Sequence, residues 1–246
     1  MSKNAVLFGF LLVSFLFAYD ENSMPGLSIP TQLDAKSLEA CAVHSFLRDP
    51  SANFPDNFIS HANVLVGLKY VLLPKLEVGA SYQFYFKEYT FHAAYSLFFP
   101  KQFLRTQALI QFFGAQHDYD ENWDENFLGQ LNVQSDPILG RILPIVNLAY
   151  DGLSKKVGLG TGIDVIILGN LDFLAEYYPV LGARDTAFTG QLKVNYFSTG
   201  IKLSTAGHQF MFTISNNFDI GIRRHMAGAT DNTLYYGFII QRLFSF

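Results

Sequence analysis

Period-two alternation of apolar and polar residues, repeated in segments of about ten, constrains this chain more than any other feature. Leu76, Val78, Ala80, Tyr82, Phe84 and Phe86 share one parity, and Glu77, Gly79, Ser81, Gln83, Tyr85 and Lys87 share the other. Tyr89, Phe91, Ala93, Tyr95, Leu97 and Phe99 oppose Thr90, His92, Ala94 and Ser96. Val157, Leu159, Ile163, Val165 and Ile167 oppose Gly158, Gly160, Gly162 and Asp164. Helical winding would scatter these classes, whereas a strand sends each class to its own face. The apolar faces are long and end in Tyr or Phe, as strands do where they cross a lipid interface. After residue 18 no apolar run approaches the ~18–20 residues of a spanning helix.

Counting such runs gives about twelve strands, an even number, as single-chain bacterial barrels require. They are expected near 38–48, 61–70, 76–86, 89–99, 104–114, 127–134, 142–150, 157–168, 171–180, 195–205, 208–217 and 233–245. Leu73-Pro74, Pro100-Lys101, Gly169-Asn170 and Ala206-Gly207 read as tight turns; residues 49–60, 116–125, 181–194 and 217–233 read as long loops. If both termini are periplasmic, every one of those turns is periplasmic and every one of those loops is outside. The short connection at Lys87-Glu88 fits that sorting less well. The fold class is all-β: a transmembrane, antiparallel, up-and-down β-barrel. A soluble β-sandwich is the alternative, and it would have to bury its apolar faces in a second sheet.

The first segment reads as an export signal. Lys3 precedes an apolar run at 5–18, which Asp20 and Glu21 end, and cleavage after Ala18 is expected. An uncleaved anchor is the alternative. No Cys follows the run, so a lipid anchor is not expected there. The chain then divides into a signal peptide (1–18), a periplasmic lead-in (19–37, with Pro25 and Pro30) and the barrel (38–246). The destination is the outer membrane of a Gram-negative bacterium.

Composition narrows the function. Aromatic residues are 16% of the chain and charged residues only 15%, the reverse of a disordered protein. Net charge is −4 with no basic stripe, so no nucleic-acid partner is expected. The single cysteine, Cys41, excludes an internal disulfide or a Cys-based zinc site. His44, His61, His92, His117, His208 and His225 show no zinc-site spacing, and neither metal nor cofactor is expected. The Gly158, Gly160, Gly162 series alternates on one strand face with no following helix, so it relieves curvature or crowding inside a barrel rather than holding a phosphate. His44 and Ser45 point to opposite faces of a strand and no Gly-x-Ser-x-Gly elbow occurs, so an enzyme is not expected. The acidic stretch 118–125 reads as a solvated loop.

The polar parity places His61, Lys69, Glu77, Lys87, His92, Arg105, Asp164, Asp172, Glu176 and Lys202 in the lumen. Such charges must be paired or hydrated. They either knit across the lumen and close it or line a narrow aqueous path, because about twelve strands lie between filled barrels and wide porins. Passage of small solutes is the expected function. A closed barrel that binds through its long outer loops is the alternative, and a barrel enzyme acting on lipid comes third.

Three stretches resemble a family together: Ala42-Val43-His44-Ser45-Phe46 with the strand Gly67 to Tyr70; Gly200 through Phe210, with its Gly207-His208-Gln209-Phe210 turn; and Gly237-Phe238-Ile239-Ile240-Gln241-Arg242-Leu243-Phe244. They are similar to exported barrel proteins of unknown function common in the Bacteroidota, which show His-Arg-Phe, Gly-His-x-Phe and Gly-Phe-Asn-x-x-Arg-x-Phe. Ser45 and Ile239 depart from that pattern, at its Arg and Asn. The resemblance implies an outer-membrane barrel and supplies no activity.

Tyr236, Phe238, Ile240, Phe244 and Phe246 form the terminal parity that resembles the signal read by the barrel-assembly machinery; Arg242 interrupts it. Outer-membrane lipid and that machinery are the expected partners, with small solutes passing through. Replacing Phe246 with Ala is expected to impair assembly, read as loss of the heat-shifted gel band from outer-membrane fractions; a normal band would refute the terminal signal.

Overall fold

The computed structural model describes residues 24–30, 34–46, 62–98, 104–116, 123–181 and 194–245. Twelve strands follow one another: β1 (Ser37–Phe46), β2 (Ala62–Leu73), β3 (Leu76–Gln83), β4 (Glu88–Phe98), β5 (Leu104–Gln116), β6 (Trp123–Ser135), β7 (Ile142–Asp151), β8 (Lys156–Leu168), β9 (Leu171–Tyr178), β10 (Tyr196–Thr205), β11 (His208–Ser215) and β12 (Tyr235–Ser245). Each pairs antiparallel with its sequence neighbours, and β1 pairs with β12, from Ser37 opposite Ser245 to Ser45 opposite Gly237. The sheet is therefore a closed barrel with no free edge, as the alternation predicts.

The two parities separate cleanly. On β7, Leu143, Ile145, Asn147, Ala149 and Asp151 face inward and are buried, while Val146, Leu148 and Tyr150 face outward and are exposed. The outward face carries Leu68, Phe91, Phe112, Phe212 and Tyr236, each more than half exposed. A continuous apolar surface of this size belongs against lipid, not water. Tyr82, Tyr89, Tyr150, Tyr177 and Tyr236 stand on the outward face at the strand ends furthest from the start of β1, forming an aromatic rim there.

Connections sort by end, with some differences from the sequence expectation. Residues 74–75, 136–141, 169–170 and 206–207 turn at the end where β1 begins; Lys75 (φ 81°) and Gly207 (φ 73°) adopt the left-handed conformation that two-residue hairpins demand. At the other end, β3 stops at Gln83, three residues early. Residues 84–87 then make a tight turn, with the Phe84 N–H donating to the Val64 carbonyl at 2.9 Å. Phe86 is therefore not a lipid-facing strand residue, and Lys87 sits exposed in the turn (φ 45°) rather than in the lumen. Residues 152–155 form a second tight turn at that end, where the Asp151 carboxylate accepts from the Leu153 N–H and the Ser154 hydroxyl. Asp124 and Glu125 lie on β6 rather than in a loop, and the Tyr89 hydroxyl donates to Glu125 at 2.5 Å. The connection between β11 and β12 folds back into the barrel and carries the short helix α1 (Ile222–Ala227).

Phe212 lies mid-strand in the apolar band, so Phe212→Arg is expected to destabilise the folded barrel by about 2–4 kcal/mol. Urea titration of folding into lipid vesicles checks this, and an unchanged midpoint would contradict a lipid-facing position.

Candidate functional site

The inner wall carries its charges in pairs between neighbouring strands. Lys69 on β2 meets Glu39, its register partner on β1, at 3.3 Å. His92 on β4 meets Glu77 on β3 at 3.1 Å by lying across Gly79, where a Cβ would strike its ring. Arg105 pairs with Asp136 at 3.1 Å, at the end where β1 begins. Lys202 on β10 bonds Asp164 on β8 directly and Asp172 on β9 at 2.9 Å, with all three side chains nearly or fully out of contact with water. Glu176 also faces inward. These charges do not knit across the lumen: Lys69, Glu77, His92, Arg105, Asp164, Asp172 and Lys202 find partners along the wall, whereas Glu176 bonds main chain inside the barrel. His61 lies outside the described residues.

The chain itself fills much of the lumen. Residues 24–30, from the expected periplasmic lead-in, run inside the barrel as a strap. The buried Glu176 carboxylate accepts from the Gly26 N–H at 2.9 Å and the Leu27 N–H at 3.1 Å through one oxygen. Its other oxygen accepts from the Tyr196 hydroxyl at 2.8 Å. The Tyr178 hydroxyl donates to the Gly26 carbonyl at 2.8 Å. The Asn147 side-chain amide pairs with both main-chain groups of Ser28, at 2.8 and 2.7 Å.

The alternating glycines of β8 acquire a physical reason here. A Cβ at Gly162 would strike Leu27; at Gly160 it would lie 2.5 Å from the Tyr178 ring; at Gly158 it would strike Met226 of α1. These glycines clear a lane for the strap and the helix. Met24, Leu27, Leu174, Tyr178, Tyr196, Met211, Ile222 and Met226 close over it as one buried apolar cluster.

Helix α1 lies inside the barrel towards the other end. Arg223 and Arg224 each donate to Glu88 at 2.6 Å. The Arg224 guanidinium lies 3.4 Å from the centre of the Phe86 ring, and Arg223 lies 4.2 Å from that of Phe113. His225 stacks on Tyr196 with ring centres 3.9 Å apart, and its Nε2 donates to the Asp219 carbonyl at 2.8 Å. Burial pushes the His225 imidazole down to about 4 and the Asp219 carboxyl up to about 6. His225 is therefore neutral at pH 7.

What remains open is off-centre. A cavity of about 270 Å³ lies between the strap and the β1–β5 wall, lined by Glu39, Lys69, Glu77, His92, Gln107 and Gln111. A smaller one of about 80 Å³ continues towards Glu88 and the α1 arginines. Leu65, Ser81, Thr90, Gln111 and Ile222 line both. Among the described residues, no group of three His, Cys, Asp or Glu is arranged to hold a metal ion.

On the outer face, His44 stacks on Phe238 at 4.9 Å while Ser45 turns inward. Tyr236, Phe238, Ile240 and Phe244 share the outward parity; Phe246 lies outside the described residues. The interrupting Arg242 donates to His208 Nε2 at 2.7 Å and packs 5.0 Å from the Phe244 ring centre.

The residues of the strap and the α1 latch were not singled out as a site from sequence. Period-two alternation sorts faces but cannot show that a segment without strand pattern enters the barrel. The one available signal was the glycine series, which marks crowding without naming the occupant.

With this geometry the comparisons with known proteins are informative about fold. A family model described as a membrane bound beta barrel domain (DUF5777) matches residues 147–244, from mid-β7 to the last turn of β12. No curated protein matches the chain. The crystal structure of the outer membrane protein Omp33 of Acinetobacter baumannii is similar, with a TM-score of 0.51 and 10% identity over 87% of this chain and 100% of that one. The NanC porin gives a TM-score of 0.49 and 9% identity over 82% and 98%. LpxR of Salmonella typhimurium gives 0.45 and 10% over 85% and 100%. The chain is a twelve-stranded membrane β-barrel; at such identities the likeness concerns fold alone.

The Lys202 triad generates a prediction. Lys202→Met leaves Asp164 and Asp172 buried together without their counter-ion, and it is expected to destabilise the barrel by about 3–5 kcal/mol. A lowered temperature for loss of the heat-shifted band checks it. The triple replacement of all three by apolar residues is expected to recover most of the loss.

Proposed function

We propose that this protein is an outer-membrane barrel that passes small polar solutes by a narrow, off-centre path, without catalysis. The observation that supports the reading is the half-filled lumen. The strap packs on the β7–β11 side and α1 reaches from there to Glu88 on β4, while the β1–β5 side keeps a polar cavity whose lining continues to the α1 arginines. Two carboxylates, one ammonium and one imidazole line the larger cavity, so the path favours cations weakly and admits neutral polar solutes. Export through the signal at 1–18 and insertion by the barrel-assembly machinery reading Tyr236, Phe238, Ile240, Phe244 and Phe246 belong to this reading.

A second reading, a closed barrel, draws on the same strap. The two diverge in conductance. The folded wild-type protein in a planar bilayer is expected to show small unitary steps with weak cation preference. Leu27→Asp puts a carboxylate into the apolar seat beside Gly162, frees the strap and is expected to raise the step size at least twofold. Silence from the wild-type barrel, with steps only in the variant, would favour the closed barrel; silence from both would overturn passage altogether.

A further inference from the structure

The wall that holds the strap has the chemistry of a binding site as well as that of a plug seat. Each of its polar contacts to residues 26–28 reaches main-chain atoms. Glu176 takes two successive N–H groups, Tyr178 gives to the Gly26 carbonyl, and Asn147 pairs with the N–H and carbonyl of Ser28. A peptide that bends at a glycine can offer the same groups, since only a bent backbone turns two successive N–H groups to one oxygen.

The wall side chains also brace one another. Tyr196 holds the second Glu176 oxygen, and Glu176, Asn147, Tyr178 and Tyr196 are all buried. An apolar filler would need none of this. Buried polar groups are costly once their partners leave, so when the strap withdraws this wall demands another peptide or water in its place.

Selectivity lies at two positions. A Cβ at Gly26 would strike the His225 ring and come within 2.8 Å of Glu176, so only glycine fits there. The next residue fills the seat that Gly160 and Gly162 leave open, which suits a branched apolar side chain.

We propose that the inner wall formed by Asn147, Glu176, Tyr178 and Tyr196 is a binding site for peptides that bend at a Gly followed by a branched apolar residue. Residues 24–30 are its intramolecular occupant. Because only residues 31–36 separate the strap from β1, its effective concentration is high, and free peptide is excluded until the strap leaves.

The test uses the full chain in detergent, with heat-shifted gel mobility confirming the folded barrel. Leu27→Asp and, separately, Gly26→Val expel the strap while leaving the wall intact. The probe is a fluorescein-labelled heptapeptide, Met-Pro-Gly-Leu-Ser-Ile-Pro, read by anisotropy. Either variant is expected to bind it at least tenfold more tightly than wild type. Methylating the leucine nitrogen of the probe, which removes one N–H to the carboxylate, is expected to weaken binding at least tenfold, as is adding Glu176→Gln to either variant. No binding by either folded variant overturns the proposal, and so does equal binding of the methylated probe. Conductance is read without peptide, so failure here leaves the solute-passage reading standing.

Discussion

Pairing of β1 with β12 is the constraint on which everything else depends. In a bilayer no water is available for a free strand edge, so the sheet must close on itself. Closure at twelve strands then creates a space too wide for wall side chains alone to fill and too narrow to be a wide pore. The outer face follows from the first condition: Leu68, Phe91, Phe112 and Phe212 are exposed because their solvent is lipid. The inner face follows from the second, since it must manage polar groups in a confined volume.

Two solutions divide that inner face. On the β1–β5 side, Lys69 pairs with Glu39 and His92 with Glu77 between adjacent strands, and Lys202 draws in Asp172 and, one strand further, Asp164, so these groups find partners along the wall. On the β7–β10 side the wall presents a buried carboxylate, an amide and the Tyr178 phenol, for which the main chain of residues 26–28 supplies partners, while the Tyr196 phenol holds the carboxylate's other oxygen. Glu88 plays the corresponding part for the two arginines of α1. The asymmetry leaves the open volume to one side, and it makes that volume dependent on segments held by hydrogen bonds and ion pairs rather than by strand pairing. Strap and helix are thus the parts of the interior whose release costs the barrel no ladder bonds.

The glycines of β8 show how a local choice serves a distant one. Gly158, Gly160 and Gly162 weaken a strand in isolation, having no side chains to pack. Their absent Cβ atoms are the space in which Met226, Tyr178 and Leu27 lie. Gly79 does the same for His92, whose ring reaches Glu77 only by crossing it.

Alternation alone determined the barrel class, the strand count and, where it is regular, which face of a strand meets lipid, because side-chain direction in a strand depends only on parity. Lys69, Glu77, Arg105, Asp172 and Lys202 were placed inward on that basis. Only the tertiary structure decided their partners. A counter-ion such as Glu39 for Lys69, or the Asp164–Lys202–Asp172 triad across three strands, depends on register, which closure and bulges set. The early end of β3 at Gln83, and with it the fate of Phe86 and Lys87, likewise depended on the turn that closes against Val64. Above all, the occupants of the lumen carry no strand period. Residues 24–30 and 222–227 contact a wall more than a hundred residues away or across the barrel. No local pattern specifies such contacts; they exist only once the sheet has closed and its buried polar groups require partners.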